Sequence, residues 1–449
     1  PELCLVAGAP LLRGVDATSA AELALGLVIG ALSHYRFVGV IGIGFVALLL
    51  IPEGRRVLRD PRIWIALAMG IAAWAPLIAW NLENADAGLR FQLVDRHPWS
   101  FQFGGLWFLL VQALLVTPLL FFALMQVFWR SLHGGEGVSP QWRYFGLLGG
   151  VSTVGYFLLG FFADAERVSF HWPLPGYLPL LIGVPALLCA WPALWRKLLW
   201  LSAGLGLLVL LGYYVAVSVP GWRAQWAASK YYPANFAGWN ELADAVREEQ
   251  AKLPPGTRLL ADNFKVGAEL GFALGDPDIA VLDHPLNRKH GRAPQLRLWG
   301  LESDGSRSAP MLLVVGASEV QYKQLLQRYH WLCDKVGPLP APLRVVNVDH
   351  GSQRFLLFAL PAERSSGACT APAMAWIDAP VSGARIDGAL GIKGWAFKDG
   401  IGLDRVEILL DGRPLAMAHY GLSAPGVATY WQISNDPSHP AVGFEANVE

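Results

Sequence analysis

From its N-terminus the chain alternates long apolar runs with short polar loops as far as Pro220, and then changes character. Six stretches carry no Asp, Glu, Lys or Arg: 37–52, 63–82, 104–129, 144–163, 174–194 and 198–220. Each is at or near the ~20 residues an α-helix needs to cross a bilayer core. A seventh, 20–33, is shorter and carries Glu22 near its start. One charge-free helix fits the core of a large soluble protein, whereas six in series between charged loops do not. The pattern predicts a multi-span transmembrane region over 1–220 with about seven spans.

Beyond Pro220 the periods are those of water-soluble protein. An amphipathic helix is expected over 239–252, with Leu242, Ala245 and Val246 on one face. Short apolar strands follow at 258–262, 279–282, 311–315 and 355–358, with helices around 266–274 and 319–330. Strands alternating with helices predict a small external α/β domain over 221–363. No strand is followed by G-x-G-x-x-G or by G-x-x-x-x-G-K-[ST], so nothing points to dinucleotide or P-loop nucleotide binding. A linker over 364–377 then leads to a partial β-sandwich module over 378–449, with strands at 391–397 and 406–412 and a hairpin turn at Asp411-Gly412.

Composition agrees with this division. Of 449 residues 54% are hydrophobic and 16% charged, far from a soluble average. Lys and Arg (35) balance Asp and Glu (35), so no basic surplus argues for nucleic acid. The chain opens at Pro1 without a signal peptide pattern and ends just after Gly443-Phe444-Glu445, which reads as a fragment cut at both ends. Cys4 and Cys189 lie in apolar surroundings as inert thiols. Cys333 and Cys369 fall in the outer half, where a disulfide is favoured over two free thiols. Their spacing does not suit zinc, and no metal site is expected.

The basic residues set the orientation. Arg55, Arg56, Arg59 and Arg62 fill one loop, Arg130 and Arg143 bracket another, and Arg196-Lys197 sit in a third. With about seven spans these loops share one side, which the positive-inside rule makes cytoplasmic. The opposite, external face holds Ser33-His34-Tyr35-Arg36, the 81–103 loop, the 164–173 loop and everything after Pro220. Polar aromatic chemistry concentrates there: Trp80-Asn81, Asp95-Arg96-His97, Asp164, and His171-Trp172-Pro173.

Two resemblances add to these readings. Gly394-Trp395-Ala396-Phe397 before Val406-Glu407-Ile408-Leu409-Leu410-Asp411-Gly412 resembles the immunoglobulin-like modules of bacterial surface and exported proteins, which implies spacing or adhesion. Residues 18–361 resemble the later part of a GT-C glycosyltransferase, of the bacterial kind related to dolichyl-phosphate-mannose protein mannosyltransferases and lipid A aminoarabinose transferases. The likeness rests on Gly30-Ala31-Leu32-Ser33-His34-Tyr35, on Pro76-Leu77-Ile78-Ala79-Trp80-Asn81 followed by Phe91-Gln92-Leu93, and on His171-Trp172-Pro173 with Pro175 and Tyr177. In the outer domain it rests on Ala261-Asp262-Asn263-Phe264, Ala268-Glu269-Leu270, and Asn287-Arg288 with Gln295 and Trp299.

The resemblance implies a hexosyl- or mannosyltransferase, multi-pass in a bacterial cytoplasmic membrane with its C-terminal domains periplasmic. It would move a sugar from a polyprenyl-phosphate donor to a glycan, lipid or protein acceptor, with no other cofactor required and a divalent metal left open. A carboxylate serves as general base while cations hold the leaving phosphate. In such enzymes the carboxylate lies after the first span, upstream of Pro1, so the fragment is expected to be inactive alone; Asp95 and Asp164 are the candidates within it. His34 stands where the family shows Lys, with Arg36 two residues on, so His34, Tyr35, Arg36 and Arg96 are the donor-phosphate candidates. Trp80, Asn81, His97, His171 and Trp172 are the substrate-binding candidates. Arg36 and Arg96 suit headgroup anchoring of helix ends equally well, and Trp172 suits an interfacial aromatic belt. A rival reading is a non-catalytic envelope protein, either a transporter subunit or a polymer-assembly scaffold, whose outer modules bind glycan or partners.

Overall fold

Helices supply the regular structure up to residue 224, and strands begin at Arg258. A computed structural model describes every residue except 1, 35, 85, 86, 92, 93, 95–98, 135–137, 163–169, 228, 230, 368, 382, 383 and 449. The chain divides into two units, Pro1–Val215 and Ala216–Glu449.

The first unit consists of α1 (Glu2–Leu11), α2 (Ala17–Ser33), α3 (Phe37–Leu49), α4 (Pro52–Val57), α5 (Pro61–Ala72), α6 (Ala75–Glu83), α7 (Ala87–Arg90), α8 (Gly104–Leu115), α9 (Pro118–His133), α10 (Pro140–Gly160), α11 (Leu174–Cys189) and most of α12 (Ala193–Ser218). Several helices start where short polar side chains take up free N–H groups. Asp16 accepts from Ser19 N–H, Asp60 from Arg62 N–H and Ser139 from Trp142 N–H, the last two with a proline at the first helical position. Small residues let α10 and α11 approach closely. A Cβ on Gly149 would meet the Gly176 carbonyl oxygen at 2.5 Å, so the two backbones touch where any larger residue would part them.

The span count differs from expectation. Among the described residues two helices are long and apolar enough to cross a membrane, Pro61–Glu83 and Ala193–Ser218. A third span is counted if α8 and α9 are taken together. At 1.5 Å per residue, the 13 residues of α3 reach about 20 Å, short of a ~30 Å hydrocarbon core. The α10 helix has the length, but its glycines, Ser152 and Thr153 lower its hydropathy. The expected single span over 104–129 is instead broken between α8 and α9 by 107°. Pro118 cannot continue the α8 ladder, and Thr117 before it takes φ +70°, a conformation that L side chains rarely adopt. Cys189, expected in a core, is exposed.

The second unit begins with α13 (Pro220–Ala224) and α14 (Trp239–Gln250). It continues with β1 (Arg258–Ala261), α15 (Phe264–Leu274), β2 (Ala280–Leu282), α16 (Pro285–Lys289), α17 (Ala293–Leu298), β3 (Glu302–Ser303), β4 (Met311–Gly316), α18 (Tyr322–Val336), β5 (Arg344–Val348) and β6 (Gln353–Leu360). The sheet order is β3-β2-β1-β4-β6-β5, with β3, β2, β1 and β4 parallel to one another and β6 antiparallel to both of its neighbours, β4 and β5. All six residues of β4 are buried, as a central strand covered on both faces requires. Leu259, Ala261, Leu312 and Val314 face the core that holds Leu242 and Val246 of α14 and Val266 of α15. Leu260, Leu313 and Val315 face the core of α18, with Leu325, Tyr329 and Leu332.

The remaining strands are β7 (Met374–Ala379), β8 (Leu390–Phe397), β9 (Glu407–Leu410), β10 (Arg413–Met417), β11 (His419–Leu422) and β12 (Gly443–Val448). They form a four-stranded sheet β11-β12-β8-β7 and a separate β9–β10 hairpin. Leu410 pairs with Arg413 across Asp411 (φ 49°) and Gly412 (φ 78°), the two positive-φ positions of a two-residue hairpin turn. Met374, Phe397, Trp431 and Val442 pack into the same core as Leu325 and Tyr329, so these strands share an interior with the α/β sheet. The segment expected as a linker over 364–377 is correspondingly tied down. Thr370 Oγ1 donates to the Leu339 carbonyl at 2.8 Å, Ala371 is buried, and β7 already starts at Met374. Cys369 is joined to Cys333 of α18 by a disulfide with the Cα atoms 5.8 Å apart.

Candidate functional site

The turn between α2 and α3 is built by a glycine and a histidine. A Cβ on Gly30 would meet the Phe37 ring at 2.3 Å, so only glycine lets Phe37 fold back over α2. His34 closes α2 by donating its N–H to the Gly30 carbonyl, while its Nδ1 accepts from Arg36 N–H at 3.0 Å. An accepting Nδ1 belongs to the neutral tautomer whose proton sits on Nε2. The turn thus holds a neutral imidazole donor beside a guanidinium. Arg36 is half-buried and lies over the ring of Trp172, 5.5 Å from its centroid. Two candidates 136 positions apart in the sequence are therefore in contact.

Near this turn lies a narrow apolar groove of about 100 Å³. Val40, Gly44 and Leu48 of α3 line it, together with Leu27, Tyr144 and Pro179. Positions 40, 44 and 48 repeat every four residues and form a stripe along α3, and Arg36 continues that stripe one turn further. Arg36 itself is not part of the lining and stands one turn before its first α3 residue, Val40.

Trp172 is supported by a buried polar network. Gln112 of α8 donates to the Phe170 carbonyl at 2.7 Å and accepts from the Tyr177 hydroxyl at 3.0 Å. Its role was missed from sequence, although a glutamine inside a charge-free run was the available signal. Asn81 is fully buried: its side chain donates to the Leu77 carbonyl and accepts from Gly88 and Leu89 N–H, so it holds the α6–α7 bend in shape. Trp80 is half-buried and its carbonyl accepts from Asn84; His171 is exposed. Tyr35, Asp95, Arg96, His97 and Asp164 lie outside the described residues.

The second unit carries a charged cluster where the strand order switches, at the C-terminal ends of β1 and β4. Asp262 is fully buried and paired with Arg328 of α18, and it accepts from Gly316 N–H at 3.2 Å. Asn263 donates to Asp262 at 2.9 Å and to Glu319 at 2.5 Å, and caps α15 through Lys265 N–H. Lys265 Nζ meets Glu319 at 3.3 Å and Asn235 at 3.0 Å. Burial raises the Glu319 carboxyl, and the neighbouring Asp262 adds to the rise. In many open α/β sheets ligands occupy this crevice; here the chain's own side chains neutralise one another in it. Among the described residues no group of three or more His, Cys, Asp or Glu is placed to hold a metal ion.

An apolar helical unit with a cation–aromatic pair at a helix turn, joined in one chain to an α/β sheet and smaller β-sheets, has the character of a membrane protein with a folded polar part. Over 174 residues, 37% of its length, the chain is 28% identical to the lipid A galacturonosyltransferase RgtD of Rhizobium johnstonii. The match covers 35% of that relative, so the chain spans about a third of its length. This similarity supports a membrane glycosyltransferase in general terms. No known family profile matches the chain, and no solved structure does.

Proposed function

We propose that the chain forms part of a GT-C-type membrane glycosyltransferase that takes a sugar from a polyprenyl-phosphate donor at the periplasmic face of a bacterial cytoplasmic membrane. The observation that carries this reading is Arg36, lying over the Trp172 ring and one helical turn before Val40, which lines an apolar groove. A ligand with an anionic head and a long hydrocarbon tail matches that order of chemistry. The His34 Nε2–H and the Arg36 guanidinium are suited to a phosphate whose charge grows as the glycosidic bond breaks. Trp172 keeps the guanidinium in a semi-apolar setting where its attraction for the leaving group is less screened by water. The similarity to a lipid A galacturonosyltransferase supports the same class, with sugar and acceptor left to experiment.

The test is transfer from a labelled polyprenyl-phosphate sugar in membranes containing the complete enzyme of which this chain would be part. Arg36→Ala is expected to lower the rate on the order of 10²-fold. Arg36→Lys should recover part of it without the guanidinium fork. Unchanged rates in Arg36→Ala would reduce Arg36 to a helix-end anchor. Donor binding with no transfer by the wild-type protein would favour the scaffold reading.

A further inference from the structure

The second unit has a groove that neither the α2–α3 turn nor the buried charge cluster uses. It lies between α15 and the loop after α17 and encloses about 640 Å³, within the ~300–1,000 Å³ typical of small-ligand clefts. Its walls include Phe264, Ala268 and Gly271 of α15, and Trp299 opposite them. The small residues at 268 and 271 give the groove depth. Trp299 is 67% exposed, so its indole is held at the rim and contributes little to the core. At one end the turn after α15 presents Asp276 and Asp278, with Asp278 N–H donating to Asp276 Oδ1 at 3.0 Å. Among the described lining residues there is no Lys or Arg. Arg297 is paired with Glu302 at 3.3 Å, and Arg247 with Asp244 at 2.7 Å and the Ala273 carbonyl.

We infer that this groove binds a saccharide, with a preference for one bearing an amine. The pyranose C–H face packs on an exposed indole, while hydroxyl and ammonium groups at the ring edge donate to carboxylates. A purely apolar occupant would leave both carboxylates facing hydrocarbon. An anionic sugar would meet two like charges and no cation. Trp299 adds a cation–π attraction for an ammonium substituent. The inference concerns binding alone and stands independently of the proposed transfer activity.

The experiment is ligand-observed NMR on the full chain in nanodiscs, without donor, using three probes: a β-1,4-linked glucosamine disaccharide, cellobiose and digalacturonate. Affinity should fall in that order. Trp299→Ala should weaken the first two at least tenfold, and Ala268→Phe, which fills the groove, should abolish both. Asp276→Asn combined with Asp278→Asn should remove the preference for the amine while leaving cellobiose bound. Phe272→Ala, outside the groove lining, should change nothing and so reports on folding. Digalacturonate binding as tight as the amino sugar, or full affinity in Trp299→Ala, would overturn the assignment. So would failure of all three probes to bind the wild-type protein.

Discussion

In Pro1–Val215 every buried polar side chain among the described residues is neutral: Ser19, Asn81, Gln112, Ser131, Ser152 and Thr153. In Ala216–Glu449 the buried set includes Glu249, Asp262, Arg328, Asp399 and Asp436. In the helical unit Ser131 donates to the Val127 carbonyl and Asn81 to that of Leu77, four residues back in each case. The second unit instead sets charge against charge, with Arg328 on Asp262 and Lys265 on Glu319. A segment built for hydrocarbon has no water to solvate an ion in its unfolded, membrane-inserted state either, so neutral donors are the economical choice there. A domain folding from water can desolvate an ion provided its partner is desolvated with it.

The largest effect that would break this contrast concerns Arg328. Arg328→Leu leaves Asp262 buried without a counter-charge and should cost about 3–5 kcal/mol of second-unit stability, read by denaturant unfolding. Adding Asp262→Leu should restore much of it, since an apolar pair needs no ion. A double variant as unstable as the single one would mean that the charges hold the β1–β4 crevice together. Next in size is the disulfide, which also belongs to the second unit. Replacing Cys333 and Cys369 by serine frees a loop spanning 36 positions and should cost about 2–4 kcal/mol. The loss should appear in the melting of the second unit and leave the helical unit unchanged.

How far this contrast could be read from sequence depends on period. The α14 helix, the apolar strands β1, β2, β4 and β6, and the Asp411-Gly412 turn all carry local signals and were expected close to where they lie. The edge strand β5, with alternating exposed and buried positions between polar turns, and the two-residue β3 carried too little pattern to be expected. Arg328 was legible in principle: it falls on the apolar stripe of α18, three residues after Leu325 and four before Leu332, where a charge needs a buried partner. Its partner lies 66 positions away, and only the sheet order brings the two together. In the helical unit the charge-free runs showed apolar helices but not their breaks. Thr117-Pro118 sits inside an uninterrupted apolar run, and its 107° bend bears on whether the basic loops at 53–62 and 130–143 share one side.

A smaller effect tests the neutral half of the comparison. Gln112→Leu removes the acceptor of the Tyr177 hydroxyl and the donor to the Phe170 carbonyl together. The cost expected is about 1–3 kcal/mol, below that of Arg328→Leu, because neutral groups are cheaper to strand than an ion. Gln112→Glu should be worse than Gln112→Leu, since it places a charge where the unit keeps none. Equal or better stability in the glutamate variant, measured by thermal unfolding in detergent, would end the contrast.

The smallest effect isolates a single imidazole. His284 is buried, and its Nδ1 accepts from Leu286 N–H at 3.0 Å to cap α16, so the ring is neutral with its proton on Nε2. Burial, and then the nearby Arg328 charge, push its pKa from 6.5 down to about 3. With the folded value depressed, the folded state takes up no proton until near pH 3, whereas the unfolded chain protonates near 6.5. The stability linked to His284 is therefore intact above pH 6.5 and is lost progressively as pH falls toward 3. The slope should be a fraction of the ~1.4 kcal/mol per pH unit that one whole proton gives, because the ring keeps some contact with water. The raised Glu319 carboxyl works in the opposite direction, since it takes up its proton first in the folded state. His284→Asn separates the two: asparagine preserves the cap but cannot titrate. Stability measured from pH 7 to pH 4 should fall more steeply in the wild-type protein than in His284→Asn; identical slopes would mean that the imidazole does become protonated in the folded unit.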